Sequence, residues 1–226
     1  MTLPRKVGAV VFDMDGLLFD TEALYRDVVL ATALESGHDV PLDFYLSTVG
    51  TALQGTRDLF VQRYGAGFDF DRFWAAAMQR YAAAVASEIR LKAGVVELLA
   101  VLDDLALPRA IATSSHHEHA RHHLAAFDLS DRFHAVVAHG DYAQGKPHPE
   151  PFLTAAARLG VEPALCLALE DSWHGVRAAS SAGMMTIMVP DLMAPTAEME
   201  QLCVHIAADL HEVCGLMKTA SRGGVS

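Results

Sequence analysis

Five short apolar runs punctuate the chain: VGAVVF (7–12), PRAIAT (108–113), HAVVAH (134–139), LCLALE (165–170) and TIMVP (186–190). None alternates apolar with polar residues, so each reads as a strand covered on both faces. The segments near 94–104, 117–126, 150–159, 174–182 and 196–203 repeat their apolar positions with a helical period. Strand alternating with helix predicts an α/β protein, a doubly wound parallel sheet with helices on both faces.

Residues 21–90 break the alternation. TEALYRDVVLATALESG (21–37) and FDRFWAAAMQRYAAAVASE (70–88) carry a period near 3.6. Asp20 and Thr21 suit the N-cap of the first helix. The reading is a core of residues 1–20 and 91–226, interrupted by a small α-helical insert at 21–90. The chain crosses back in EIRLKAGV.

Charge narrows the partners. The 226 residues carry a formal charge of −11, which argues against nucleic acid, since a phosphate backbone requires basic patches. A small phosphorylated ligand stays open, because one lysine and a metal ion can reverse the local field. Cys166, Cys203 and Cys214 form no C-x-x-C pair and read as reduced thiols. The first residues lack a signal-peptide core, and no apolar run approaches about 18 residues. The expectation is a cytoplasmic protein without a membrane partner.

The first strand ends in chemistry. VVFDMDGLLFD (10–20) runs three apolar residues into Asp13, with a second acid at Asp15 and Gly16 behind it. In an open parallel sheet, ligands bind outside the carboxyl ends of the strands. Thr113, Ser114 and Ser115 follow the second run, Lys146 follows the third, and Glu170 and Asp171 end the fourth. Four carboxylates gathered there cannot all stay ionised without a cation, and hard oxygen donors select Mg²⁺. Residues i and i+2 of an extended chain face the same way, so Asp13 and Asp15 can address one substrate. One acid can attack phosphorus, and the other can move the proton.

DMDGLLFD, ATSS, GKPHPEPF and LEDSWHGV follow the order of the four motifs of the haloacid dehalogenase-like (HAD) superfamily, and the sequence resembles it over nearly its whole length. The insert resembles the C1 cap of the phosphatase and β-phosphoglucomutase-like branch. The resemblance implies a Rossmann-like core, Asp13 as nucleophile and Asp15 as general acid and base. Thr113 and the Ser114 amide would hold phosphate oxygens, and Lys146 would neutralise charge. Asp171 would bind Mg²⁺ with the Asp13 carboxylate and the Asp15 carbonyl; Glu170 would be a direct ligand or the partner of one. An acid at position 15 suits phosphate esters, whereas the dehalogenases and phosphonatases of the superfamily lack it.

Competing motifs fail on single residues. An EF-hand loop needs an oxygen donor where Leu17 stands, and a P-loop needs Ser or Thr where Pro147 stands. H-E-x-x-H would need histidine at Arg121, so the His-rich stretch 116–123 reads as a solvated helix face, with His116 near the phosphate. Met184, Met185 and Met188 read as core, and Trp173 and His174 as packing.

STVGTALQGTRDLF (47–60) is the candidate specificity loop, with Gly50, Thr51, Gln54, Thr56 and Arg57 as substrate contacts. The alternative is that Gln54 and Arg57 decorate a helix start. The expected function is a Mg²⁺-dependent phosphatase acting on a sugar phosphate or nucleoside monophosphate. The first alternative is a β-phosphoglucomutase-like mutase. In the mutases of this resemblance, an arginine three residues after the loop glycine grips a second phosphate, and a histidine in the first cap helix assists transfer. The first place, counted from Gly50, holds Leu53, and the second, near the start of the first helix of the insert, matches Tyr25, which favours hydrolysis. A non-catalytic phospholigand sensor is the other alternative, and the catalytic residue types argue against it.

Overall fold

The computed structural model describes residues 3–49 and 53–222. Six strands form one parallel sheet: β1 (Ala9–Phe12), β2 (Arg109–His116), β3 (Ala135–His139), β4 (Cys166–Glu170), β5 (Met185–Met188) and β6 (His205–Ile206). Their order is β3-β2-β1-β4-β5-β6. The strand order reverses between β1 and β4, the place where such sheets open a crevice. β1 and β4 are buried throughout, paired from Ala9↔Cys166 to Phe12↔Leu169.

Two compact units divide the chain: Met1–Phe19 with Leu91–Ser226, and Asp20–Arg90. The core unit carries α5 (Val95–Asp104), α6 (His117–Ala126), α7 (Glu150–Leu159), α8 (Trp173–Ser181), α9 (Ala197–Leu202) and α10 (Leu210–Arg222). Phe152, Ala155 and Ala156 of α7 bury the i, i+3, i+4 stripe of that helix on one side of the sheet. Gly160 ends α7 at φ 66°, a left-handed conformation that glycine adopts without a Cβ clash. Among the described residues, no helix is long and apolar enough to cross a membrane.

The helical unit contains α1 (Thr21–Glu35), α2 (Leu42–Thr48), α3 (Leu53–Tyr64) and α4 (Phe70–Glu88). α1 packs on α4, and Asp69 caps α4 by accepting the Arg72 N–H at 3.1 Å. Phe60 sits at the centre of a ring cluster, 5.2 Å from Phe44 and from Phe73 and 5.6 Å from Phe68.

The structure departs from the sequence reading in several places. The expected loop at 47–60 is helical from Leu53 onward, because Phe60 and, one turn beyond it, Tyr64 join the ring cluster. β2 runs on through Ser114, Ser115 and His116, past the apolar pattern, with a register shift after Ala112. β6 is two residues long, too short to leave a pattern. α10 was not anticipated, although Leu210, Val213, Cys214 and Met217 are buried at helical spacing.

Candidate active site

Asp13 follows β1 directly, and its N–H still donates to Leu169 O at 2.9 Å, so the ladder fixes where its side chain starts. Met14 is buried, Asp15 is half-buried, and the chain then turns back. Gly16 has φ 83° and donates to Phe19 O at 2.9 Å, a left-handed turn that favours glycine. The two acids thus flank one buried residue.

Lys146 reaches the site from the loop after β3. Its Nζ bonds Asp13 Oδ1 and, at 2.5 Å, Glu170 Oε1, with all three side chains at most 9% exposed. Burial opposes the charge on Lys146, but Asp13 and Glu170 outweigh it and hold the ammonium protonated above its usual range. Burial raises Asp13, Lys146 pulls it back, and the neighbouring Asp15 charge raises it again. Burial likewise raises Glu170 against the pull of Lys146. One cation therefore serves two buried anions.

Asp171 follows Glu170 directly, just past the end of β4. Asp13, Glu170 and Asp171 each place a carboxylate oxygen within 4.8 Å of the others. This set carries more negative charge than Lys146 cancels and offers oxygen donors alone, which fits a hard divalent cation such as Mg²⁺. Glu170 is engaged at both oxygens: Oε2 accepts the Ser172 N–H at 3.2 Å and its hydroxyl at 3.1 Å. Ser172 Oγ in turn accepts the Gly175 N–H and caps α8. A Cβ on Gly175 would lie 1.8 Å from Glu170 Oε1, so that helix turn needs a glycine to admit the carboxylate.

β2 supplies the hydroxyls. Ser115 Oγ donates to Asp15 Oδ2 at 2.7 Å, and Thr113 Oγ1 to the same oxygen at 3.4 Å. The Ser115 N–H donates to Thr113 Oγ1 at 3.0 Å. Ser114 is exposed near the strand end. The Tyr142 phenol donates to Thr113 O at 3.0 Å, tying the Lys146 loop to β2. The sequence reading named every core residue of this group but gave no role to Ser115, Tyr142, Ser172 or Gly175. Their task is to hold other groups, which leaves no chemical signature in a sequence.

The helical-unit candidates are arranged differently. Gly50 and Thr51 lie outside the described residues. Gln54 donates to Asp58 at 2.8 Å on α3, its own helix. Arg57 forks onto Asp71, with one bond at 2.9 Å, and stacks 5.0 Å from the Phe70 ring. Both therefore match the helix-decoration reading. Thr56 instead lines a cavity of about 290 Å³ inside the unit, with Glu22, Tyr25, Tyr45, Trp74 and Tyr81 among its walls. Tyr25 meets Tyr81 edge-on at 5.2 Å and Trp74 at 6.2 Å. The spacing of Glu22, Tyr25 and Val29 along α1 was the available sequence signal for this cavity.

A family model for haloacid dehalogenase-like hydrolases matches residues 7–183. The chain belongs to that family. It is 34% identical over 200 residues to hexitol phosphatase B of Escherichia coli, covering 88% of this chain and 89% of the relative. It is 30% identical over 179 residues to the phosphorylated carbohydrates phosphatase of Thermotoga maritima, covering 79% and 83%. A crystal structure of β-phosphoglucomutase from Clostridium difficile superposes with a TM-score of 0.70 over 97% of this chain and all of that one, at 22% identity, a likeness of fold.

Proposed function

We propose that this HAD hydrolase is a Mg²⁺-dependent phosphatase that releases phosphate from a small phosphorylated polyol or sugar through an aspartyl-phosphate. The observation that carries the reading is Asp13, a buried carboxylate at a strand end, bound by Lys146 and followed two residues later by a second acid. Asp13 attacks phosphorus while Asp15 protonates the departing alcohol oxygen. Asp15 then takes a proton from water, which attacks the aspartyl-phosphate and restores the Asp13 carboxylate. Ser115 orients Asp15, and Lys146 offsets the charge that gathers on the phosphoryl oxygens. Bound by Asp13 and Asp171, Mg²⁺ would neutralise a phosphoryl oxygen beyond what one lysine can do. Glu170, with both oxygens engaged, holds Lys146 and the start of α8.

Two features support hydrolysis over phosphoryl exchange between two positions of a sugar. Arg57, the nearest substitute for the missing mutase arginine, is committed to Asp71. Among the described residues lining the cavity of the helical unit, Glu22 is the charged one and it is acidic. Aromatic faces with one carboxylate, within the helical unit, disfavour a second phosphate there. The names of the two phosphatase relatives point to the same substrate class.

The test is phosphate release with Mg²⁺ over hexitol phosphates, hexose phosphates and nucleoside monophosphates, beside β-glucose 1-phosphate with a trace of the 1,6-bisphosphate. Release from the polyol and sugar esters is the expected result. Preference for nucleotides would overturn the substrate class. Formation of glucose 6-phosphate faster than free phosphate would overturn hydrolysis.

A further inference from the structure

The paired strands β2 and β3 bring two imidazoles together at the end of the sheet. An unbroken register from Ala112↔Val137 would set His116 opposite Asp141, but the shift after Ala112 sets it opposite His139. Cross-strand partners in a parallel pair present their side chains to the same face. The two rings do meet: their centroids are 4.5 Å apart, and both residues are exposed. His119, also exposed, stands in the first turn of α6 with its ring 6.4 Å from that of His116. Two neighbouring histidines are otherwise engaged. His117 bonds Asp141 at 2.9 Å, and His123 is buried against Phe19.

Nothing in the phosphatase chemistry uses this pair. Neutral imidazole nitrogens prefer borderline divalent metals, in the order Ni²⁺ below Cu²⁺ with Zn²⁺ also favoured, over the hard Mg²⁺. Two imidazoles fixed on adjacent strands lose little freedom on chelation, because the sheet already holds their backbones. We propose that His116 and His139, completed by rotation of His119, form a binding site for a borderline divalent transition metal, separate from the carboxylate cluster. The site would restrain the end of β2, where Ser115, adjacent to His116, holds Asp15.

The experiment is calorimetric titration of the whole protein with Ni²⁺ in saturating Mg²⁺, which keeps the carboxylates occupied. One equivalent should bind. His116→Ala and His139→Ala should each weaken binding by about tenfold or more, as expected when a metal loses a principal ligand. Asp171→Ala should leave it unchanged, which separates this site from the acidic one. Both histidines are exposed, so their variants should fold; circular dichroism checks this, and His139→Gln serves if an alanine variant does not. Absence of uptake by the wild type, or equal uptake by the His116→Ala/His139→Ala double variant, would overturn the proposal.

Discussion

Asp13 gathers the opposing forces of the site: burial and the Asp15 charge disfavour its ionisation, and Lys146 opposes them without cancelling them. Asparagine there keeps the size but cannot form an acyl-phosphate. Asp13→Asn should lower kcat by about 10⁴-fold or more, as loss of a nucleophile does, with an unchanged melting curve. Gly175 tests the same site sterically. Gly175→Ala drives a methyl into Glu170 and should cost about 1–3 kcal/mol in denaturant unfolding. His123 makes a separate point about pH. Burial, then the neighbouring His122 and His119, lowers its folded pKa from 6.5 to about 4, and its Nδ1 has no hydrogen-bond partner. The unfolded chain therefore binds the proton more tightly. The stability linked to neutral His123 is present above pH 6.5 and is lost as pH falls toward 4. His123→Leu should flatten the decline in unfolding midpoint across that window; a parallel decline in both proteins would refute the linkage.

The element that positions Lys146 is the loop between β3 and α7. It is clamped at both ends. Arg158 of α7 bonds Val136 O at 2.7 Å and Asp141 at 3.0 Å. Glu150, the first residue of α7, accepts the N–H groups of Ala143 and Gln144 at 3.0 and 2.9 Å. Tyr142 adds the tie to β2. The loop is thus held as a rigid arm, and misplacing a catalytic group by about 1 Å can cost up to 100-fold in rate. Glu150→Ala should reduce kcat by about tenfold while the protein stays folded. Glu150→Gln keeps one acceptor oxygen and should recover part of the loss. Equal kcat in the alanine variant and the wild type would show that the clamp does not position Lys146.

At the scale of the molecule, function rests on a sheet that gathers distant segments. Asp13 and Lys146 are 133 positions apart in sequence, yet they meet because β1 and β3 end on the same side. The collected carboxylates make the proposed metal dependence a matter of the whole core. EDTA should abolish phosphate release, and Mg²⁺ should restore it. Ca²⁺ should restore it poorly, because it prefers longer bonds and higher coordination. Full turnover in metal-stripped buffer would refute the assigned site.

The sequence alone determined the parallel core, the helical insert and the strand-end residues. Apolar runs bounded by acids and hydroxyls can be read locally, and each strand end carries its chemistry within a few positions. It did not reveal α2 and α3, whose place depends on distant rings such as Phe68 and Phe73 packing on Phe60. It left Arg57 between substrate contact and helix decoration, and the fold pairs that guanidinium with Asp71, fourteen residues on. Only the tertiary structure decided which two acids share Lys146, why position 175 is glycine, and that His116 faces His139. Each of these depends on distances between segments far apart in the chain. Periodicity fixes which face a residue occupies within its element, and packing fixes what that face meets.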